Sequence, residues 1–190
     1  MTRKLKRWMI VLLTLAAISA VGVTLAFMFK RTNTVNTFVP AQVSCTVHER
    51  LDGAEVTDLS AVGSEKSDIR VQNTGNVQAY LRVRLVSYFV DEDKNITGEI
   101  PSAYPKLTLN DGWLPGESNT YYYTKPVEPN GSTPVLCEPF PLLEQAAQDG
   151  KTVYQVVEVL AEAIQAEPVA AVEGAWGVTV AEDGALRPAA

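Results

Sequence analysis

In the segment "QAYLRVRLVSYFV" (78–90), the odd positions Ala79, Leu81, Val83, Leu85 and Phe89 form one apolar face, and Arg82 and Arg84 fall on the other. Only an extended chain sends alternate residues to opposite sides, because a helix returns to the same face every third or fourth residue. The segment therefore predicts a strand with one face in a core. "QVSCTV" repeats the pattern, with Val43, Cys45 and Val47 on one side, and "KLTL" does so with Leu107 and Leu109.

Turn signals separate these runs: "LDGAE" at 51–55, "NTGN" at 73–76, "DEDKN" at 91–95, "NDGWLPGES" at 110–118 and "EPNGS" at 128–132. They recur too closely for helices of ordinary length. The run "KTVYQVVEVLAEAIQA" (151–166) mixes helix-favouring Ala, Glu and Leu with a β-branched and aromatic start, and it reads as a long strand. Short helices are expected at 141–148 and 168–176, each opened by proline. Seven or more strands with late helical inserts point to an all-β fold, an antiparallel β-sandwich of jelly-roll type.

Ahead of this domain, Trp8 to Phe29 is a run of 22 residues without a charge, preceded by Arg3, Lys4, Lys6 and Arg7. Such a run is long enough to span a bilayer, and the basic start holds the N-terminus in the cytoplasm and sends the remainder outside. "TLA" before Phe27 approximates the small-x-small pattern of a signal peptidase, which places cleavage between Ala26 and Phe27. Retention of residues 8–29 as a membrane anchor is the alternative. The expected organisation is a signal segment 1–26, a linker or strand 27–40 and a β-sandwich domain 41–190. Without residues 1–26, 12 basic side chains face 22 acidic ones, a net of −10, which repels nucleic acid.

The residues give catalysis little footing. His48 is the single histidine, on the polar side of its strand, and HExxH is absent, so neither a zinc site nor a Ser-His-Asp relay can be built from local neighbours. Asp91, Asp93 and Asn95 have the opening spacing of an EF-hand loop, but Ile96 and Ser102 stand where the loop needs Gly and Glu, which leaves a hairpin turn. No enzyme activity, metal or cofactor is expected. Cys45 and Cys137 both face a core, as free apolar thiols or as a bridge; export to an oxidising compartment makes the bridge the expectation. In "TYYYTK" (120–125), Tyr122 falls opposite Tyr121 and Tyr123, so part of the run belongs to the core, and the rest could line a glycan or peptide groove.

The stretches "TLAFMF", "TNTVNTFVPAQV", "KSDIRVQNTGNVQAYLRVRLV", "DGWLPGESNTYYYTKPVEPNGST" and "VEVLAEAIQAE" together resemble the TasA and camelysin family of Gram-positive surface and biofilm-matrix proteins. Lys30 and Arg31 stand where relatives often carry an acidic residue. The resemblance implies a jelly-roll domain, export with cleavage by a SipW-type signal peptidase, and fibres in which the N-terminal strand of one subunit completes the sheet of the next. Some camelysins have been described as proteases, an activity for which this chain lacks HExxH and a second histidine. Within residues 27–40, Phe27, Phe29, Val35 and Phe38 would be the apolar anchors of such a donated strand, and Thr32, Thr34 and Thr37 favour extended backbone. The expected partners are thus further copies of the chain, the signal peptidase during export and other matrix proteins. The alternative is a membrane-anchored extracellular domain that binds a glycan or peptide through the tyrosine-rich strand.

Overall fold

A computed structural model of the chain describes residues 40–58, 61–97, 106–146 and 150–188. Its elements are, in order, β1 (Cys45–Leu51), β2 (Ala54–Glu55), β3 (Glu65–Asn73), β4 (Ala79–Val90), β5 (Trp113–Pro115), β6 (Thr120–Tyr123), β7 (Phe140–Pro141), β8 (Glu144–Ala146), β9 (Thr152–Gln165), α1 (Val169–Trp176), β10 (Val178–Val180) and β11 (Leu186–Pro188). They form a four-stranded sheet in the order β2-β1-β3-β7, a five-stranded sheet β5-β6-β4-β9-β8 and a β10-β11 hairpin. All strand pairings are antiparallel.

The alternating segment is the centre of the larger sheet. β4 pairs with β9 from Ala79↔Gln165 to Val90↔Tyr154 without a break, and Ala79, Leu81, Val83 and Leu85 share one core between the two sheets with Ile69 and Val71 of β3, Leu136 and Phe140. Ala79, Leu81, Val83 and Phe89 are wholly buried. At roughly 25 cal/mol per Å² of apolar surface, each leucine or phenylalanine so placed contributes about 2 kcal/mol before entropy is subtracted. Ala41–Ala190 forms one compact unit around this core.

The even face of β4 is not left to solvent at its Tyr80 end. α1 and the β10-β11 hairpin lie across it, and Tyr80, Ala166, Val172, Val178 and Leu186 form a second cluster with Tyr122, Ile164 and Trp176 at its margin. α1 follows Pro168 and stops at Gly177, whose left-handed backbone (φ 62°) sends its N–H to the Glu173 carbonyl at 2.9 Å. The helix at 168–176 and the long strand at 151–166 are as expected. The helix expected at 141–148 is not formed: Phe140–Pro141 pairs with β3 and Glu144–Ala146 with β9. The backbone N–H and C=O of Leu143 bond to the Gln155 side chain and backbone, so sheet pairing outweighs local propensity there. Val43 lies before β1 and is exposed, and "KLTL" contributes a single bridge, Leu109↔Cys137, although Leu107 and Leu109 do pack on the core.

Two turns set the register. Asp52 and Gly53, with φ of 50° and 80°, make the two-residue link from β1 to β2 that suits a type I′ hairpin. Asn73, fully buried, donates to the carbonyls of Val77 (2.8 Å) and Val127 (2.9 Å) and accepts from the Gly75 N–H (2.9 Å). Its amide thus ties the β3-β4 turn to the loop before Thr133. Asn73→Ala leaves the Val77 carbonyl and the Gly75 N–H without this partner and takes the second donor from the Val127 carbonyl, which keeps the Ala79 N–H, and equilibrium urea denaturation should show a loss on the order of 3 kcal/mol.

Candidate functional site

Hydrogen-bond parity exposes an open sheet edge. Ala79 and Leu85 turn their N–H groups away from β9, toward Val127 and Asn119, so the even residues of β4 bond the even residues of β9. Gln155 sends its N–H the other way, to Leu143 at 2.8 Å. The odd residues Val157, Val159, Ala161, Ala163 and Gln165 therefore point their backbone groups outward along the sheet. β8 covers only Thr152–Tyr154, and among the described residues no strand pairs with the rest of this edge. β1 lies against β9, and among the described residues its own outer edge is covered where β2 pairs with Arg50 and Leu51 and where the Val56 N–H donates to the Glu49 carbonyl. The Glu162 charge adds to the rise of the Cys45 thiol and the Glu158 charge to that of the Glu49 carboxyl.

A buried ion pair sits in this seam. Lys66 and Glu49 are 5% and 7% exposed, with Nζ 3.1 Å from Oε2. Lys66 also donates to the carbonyl of Val157, one of the outward-pointing groups of β9. A bulge brings Lys66 there: the β1-β3 register slips by one between His48↔Arg70 and Arg50↔Ser67, and the extra residue, Asp68, takes φ 55°. Continued alternation from Ile69 would have pointed Ser67 inward; the extra residue points Lys66 inward instead. Burial pushes the Glu49 carboxyl up, more than Lys66 pulls it down, and Glu158 adds to the rise.

On the outer face, a groove of about 530 Å³ runs between β5, β6, α1 and the hairpin, lined by Leu114, Pro115, Tyr122, Trp176 and Arg187 among others. The Tyr122 and Trp176 rings are 5.8 Å apart at 57°. Arg82 stacks 4.8 Å from the Trp176 ring and is pinned by Glu162 at 2.6 Å. The groove offers the aromatic faces of Tyr122 and Trp176, with Arg82 stacked behind them, an arrangement suited to stacking. Tyr121 and Tyr123 turn the other way and pack on the main core, as the alternation requires.

The disulfide expected between Cys45 and Cys137 is not formed; both are free thiols. Cys45 faces Asn73 from the β1 side of β3, whereas the chain leading to Cys137 runs along the opposite side and reaches Ile69 at Leu136. The two cysteines are thus about four residues, or roughly 13 Å, apart along β3, beyond the roughly 7 Å Cα limit for a bridge. Burial, helped by Glu138, pushes the Cys137 thiol up to about 11. His48 is exposed on the outer face of β1, 3.5 Å from Gln72 Oε1. Asp91 accepts the Asn95 N–H at 2.8 Å and closes the turn after β4. The cleavage site Ala26–Phe27 and the strand anchors Phe27, Phe29, Val35 and Phe38 lie outside the described residues. Lys66, Glu49, Arg82 and Trp176 carried no recognisable signal in the sequence, because their roles depend on a bulge and on a third layer.

Two measurements follow from these environments. A carboxyl raised in the fold above its unfolded value contributes stability that is present at acid pH and lost as pH rises through the folded value. The stability of the parent relative to Glu49→Gln should therefore fall as pH climbs from the ordinary carboxylate range through the raised value, read by urea denaturation at each pH. Thiol labelling of the denatured, unreduced protein should find two cysteines, and in the native protein at neutral pH Cys45 should react well before Cys137. No protein-family model matches this chain, and no curated protein and no solved structure matches it either.

Proposed function

We propose that the chain is a secreted structural protein of the bacterial cell surface or biofilm matrix that assembles by strand donation, residues 27–40 of one copy adding to the β9 edge of the next. The observation that carries this reading is the length of that edge. Long uncovered edges are a liability that proteins blunt or use, and here five outward backbone positions lie on a strand whose inner face is already packed. A sheet edge of this kind binds an extended segment through main-chain hydrogen bonds, with alternate side chains supplying selectivity. Donation from one copy to the next does not close, so it propagates. Under this reading the two facing sheets are a jelly roll that lacks one strand in each subunit, and the resemblance to matrix proteins points the same way.

A second reading is favoured by the Tyr122–Trp176 groove: a membrane-anchored domain that stacks a sugar ring or an aromatic peptide side chain. Fractionation separates the two, since an anchored binder stays with the membrane and a matrix protein leaves it without residues 1–26.

The N–H of Ala161 points to the open edge, so proline there costs no bond to β4. In the exported protein, Ala161→Pro should leave the thermal unfolding transition nearly unchanged and abolish assembly seen by sedimentation and electron microscopy, as should deletion of residues 27–38. Assembly equal to that of the parent in either variant would refute strand donation at β9.

A further inference from the structure

We propose that Lys66 is a register stop on the β9 edge, ending strand addition at Val159 and so determining which extended segment the edge accepts. The inference rests on β9 being an acceptor edge. An added strand bonds the outward N–H and C=O of every second residue; on β9 these belong to Val157, Val159, Ala161, Ala163 and Gln165. At Val157 the acceptor is already taken, because the Lys66 ammonium, arriving from the facing sheet, donates to that carbonyl. Its four-carbon stem and charge fill the space an incoming backbone would need.

Glu49 keeps the ammonium in place. It sits on the inward side of β1 with Oε2 3.1 Å from Nζ, and that oxygen makes no well-aligned hydrogen bond among the described residues. The Lys66 ammonium is thus the partner that compensates the buried carboxylate, and separating the two would leave an uncompensated buried charge. Of the other charged groups, Glu158 on β9 acts on the pair, adding to the rise of the Glu49 carboxyl. Inward-pointing charge is one of the ways that sheet edges are protected against indiscriminate pairing. Beyond the stop, the span from Val159 to Gln165 leaves seven residues of β9 for pairing, so about half of residues 27–40 of the next copy can pair before the strand is turned away at Val157.

Substituting Lys66 alone would strand a buried carboxylate, so the informative variant is Glu49→Leu with Lys66→Met, neutral and similar in volume, its fold checked by circular dichroism. The exported full-length mature protein and this variant are compared by sedimentation and by quenched hydrogen exchange read residue by residue. In the assembled parent, the Val159, Ala161 and Ala163 amides should exchange at least tenfold more slowly than in the monomer while Val157 is unchanged. In the assembled variant the slowing should extend to Val157. Slowing at Val157 in the parent, or none there in an assembled variant, overturns the stop while leaving strand donation intact. A parent that stays monomeric beside a variant that associates refutes donation in the native protein and, with it, a stop that leaves Val159–Gln165 open. If neither associates, both fall.

Discussion

β4 is the strand on which the rest of the molecule depends, because both of its faces and both of its edges are used. Its odd side chains meet the four-stranded sheet, its Tyr80 end is roofed by α1 and the hairpin, and β6 and β9 flank it. A central strand of this kind couples the layers: shifting it by one residue would carry Leu81, Val83 and Leu85 out of the core and drive Arg82 and Arg84 into it. That penalty holds β9 in register along the whole ladder. It also leaves β9 rigid enough to present an ordered row of backbone groups at the margin of the sheet.

Against this apolar background, the Lys66–Glu49 pair stands out as a costly choice. Two charges removed from water rarely stabilise a fold more than well-packed hydrophobic residues would. The same site gains definition from them, since one ammonium joins the two sheets at a single carbonyl. The bulge at Asp68 has the same character: it interrupts an otherwise regular ladder and thereby changes which side chain faces inward. Arg70 then holds the Asp68 carboxylate at 2.6 Å, fastening the bulge from the outside and keeping that carboxyl below its usual range.

The parts of this architecture written into local patterning were legible in the sequence. Alternation announced β4 and the sidedness of the tyrosine run, β-branched residues announced β9, and Pro168 with Gly177 bracketed α1. What escaped was set by partners far away in the chain. Leu142 and Leu143 look helical in isolation, but their backbone groups bond to Ser64 and Gln155. Tyr80 lies on the even face of β4, away from the main core, and its burial depends on α1 and the hairpin, which close over it from the far end of the chain. Lys66 lies in "SEKSD", where nothing hints at burial, because the parity change comes from one residue with positive φ two positions later. The cysteines met the compositional rule for a bridge, and β3 runs between them.

The third layer has a consequence for how such molecules can crowd together. In cross-β fibrils, growth along hydrogen bonds is accompanied by dry stacking of one flat sheet on another, and that stacking gives amyloid its persistence. Near Gln165 the larger sheet has no flat face to offer: one side is filled by the facing sheet and the other by α1 and the hairpin. Backbone pairing at this margin can extend the sheet sideways but cannot zip it to a neighbour. Under the proposed strand donation, the helix and hairpin would act as spacers that keep sheet extension from becoming sheet stacking.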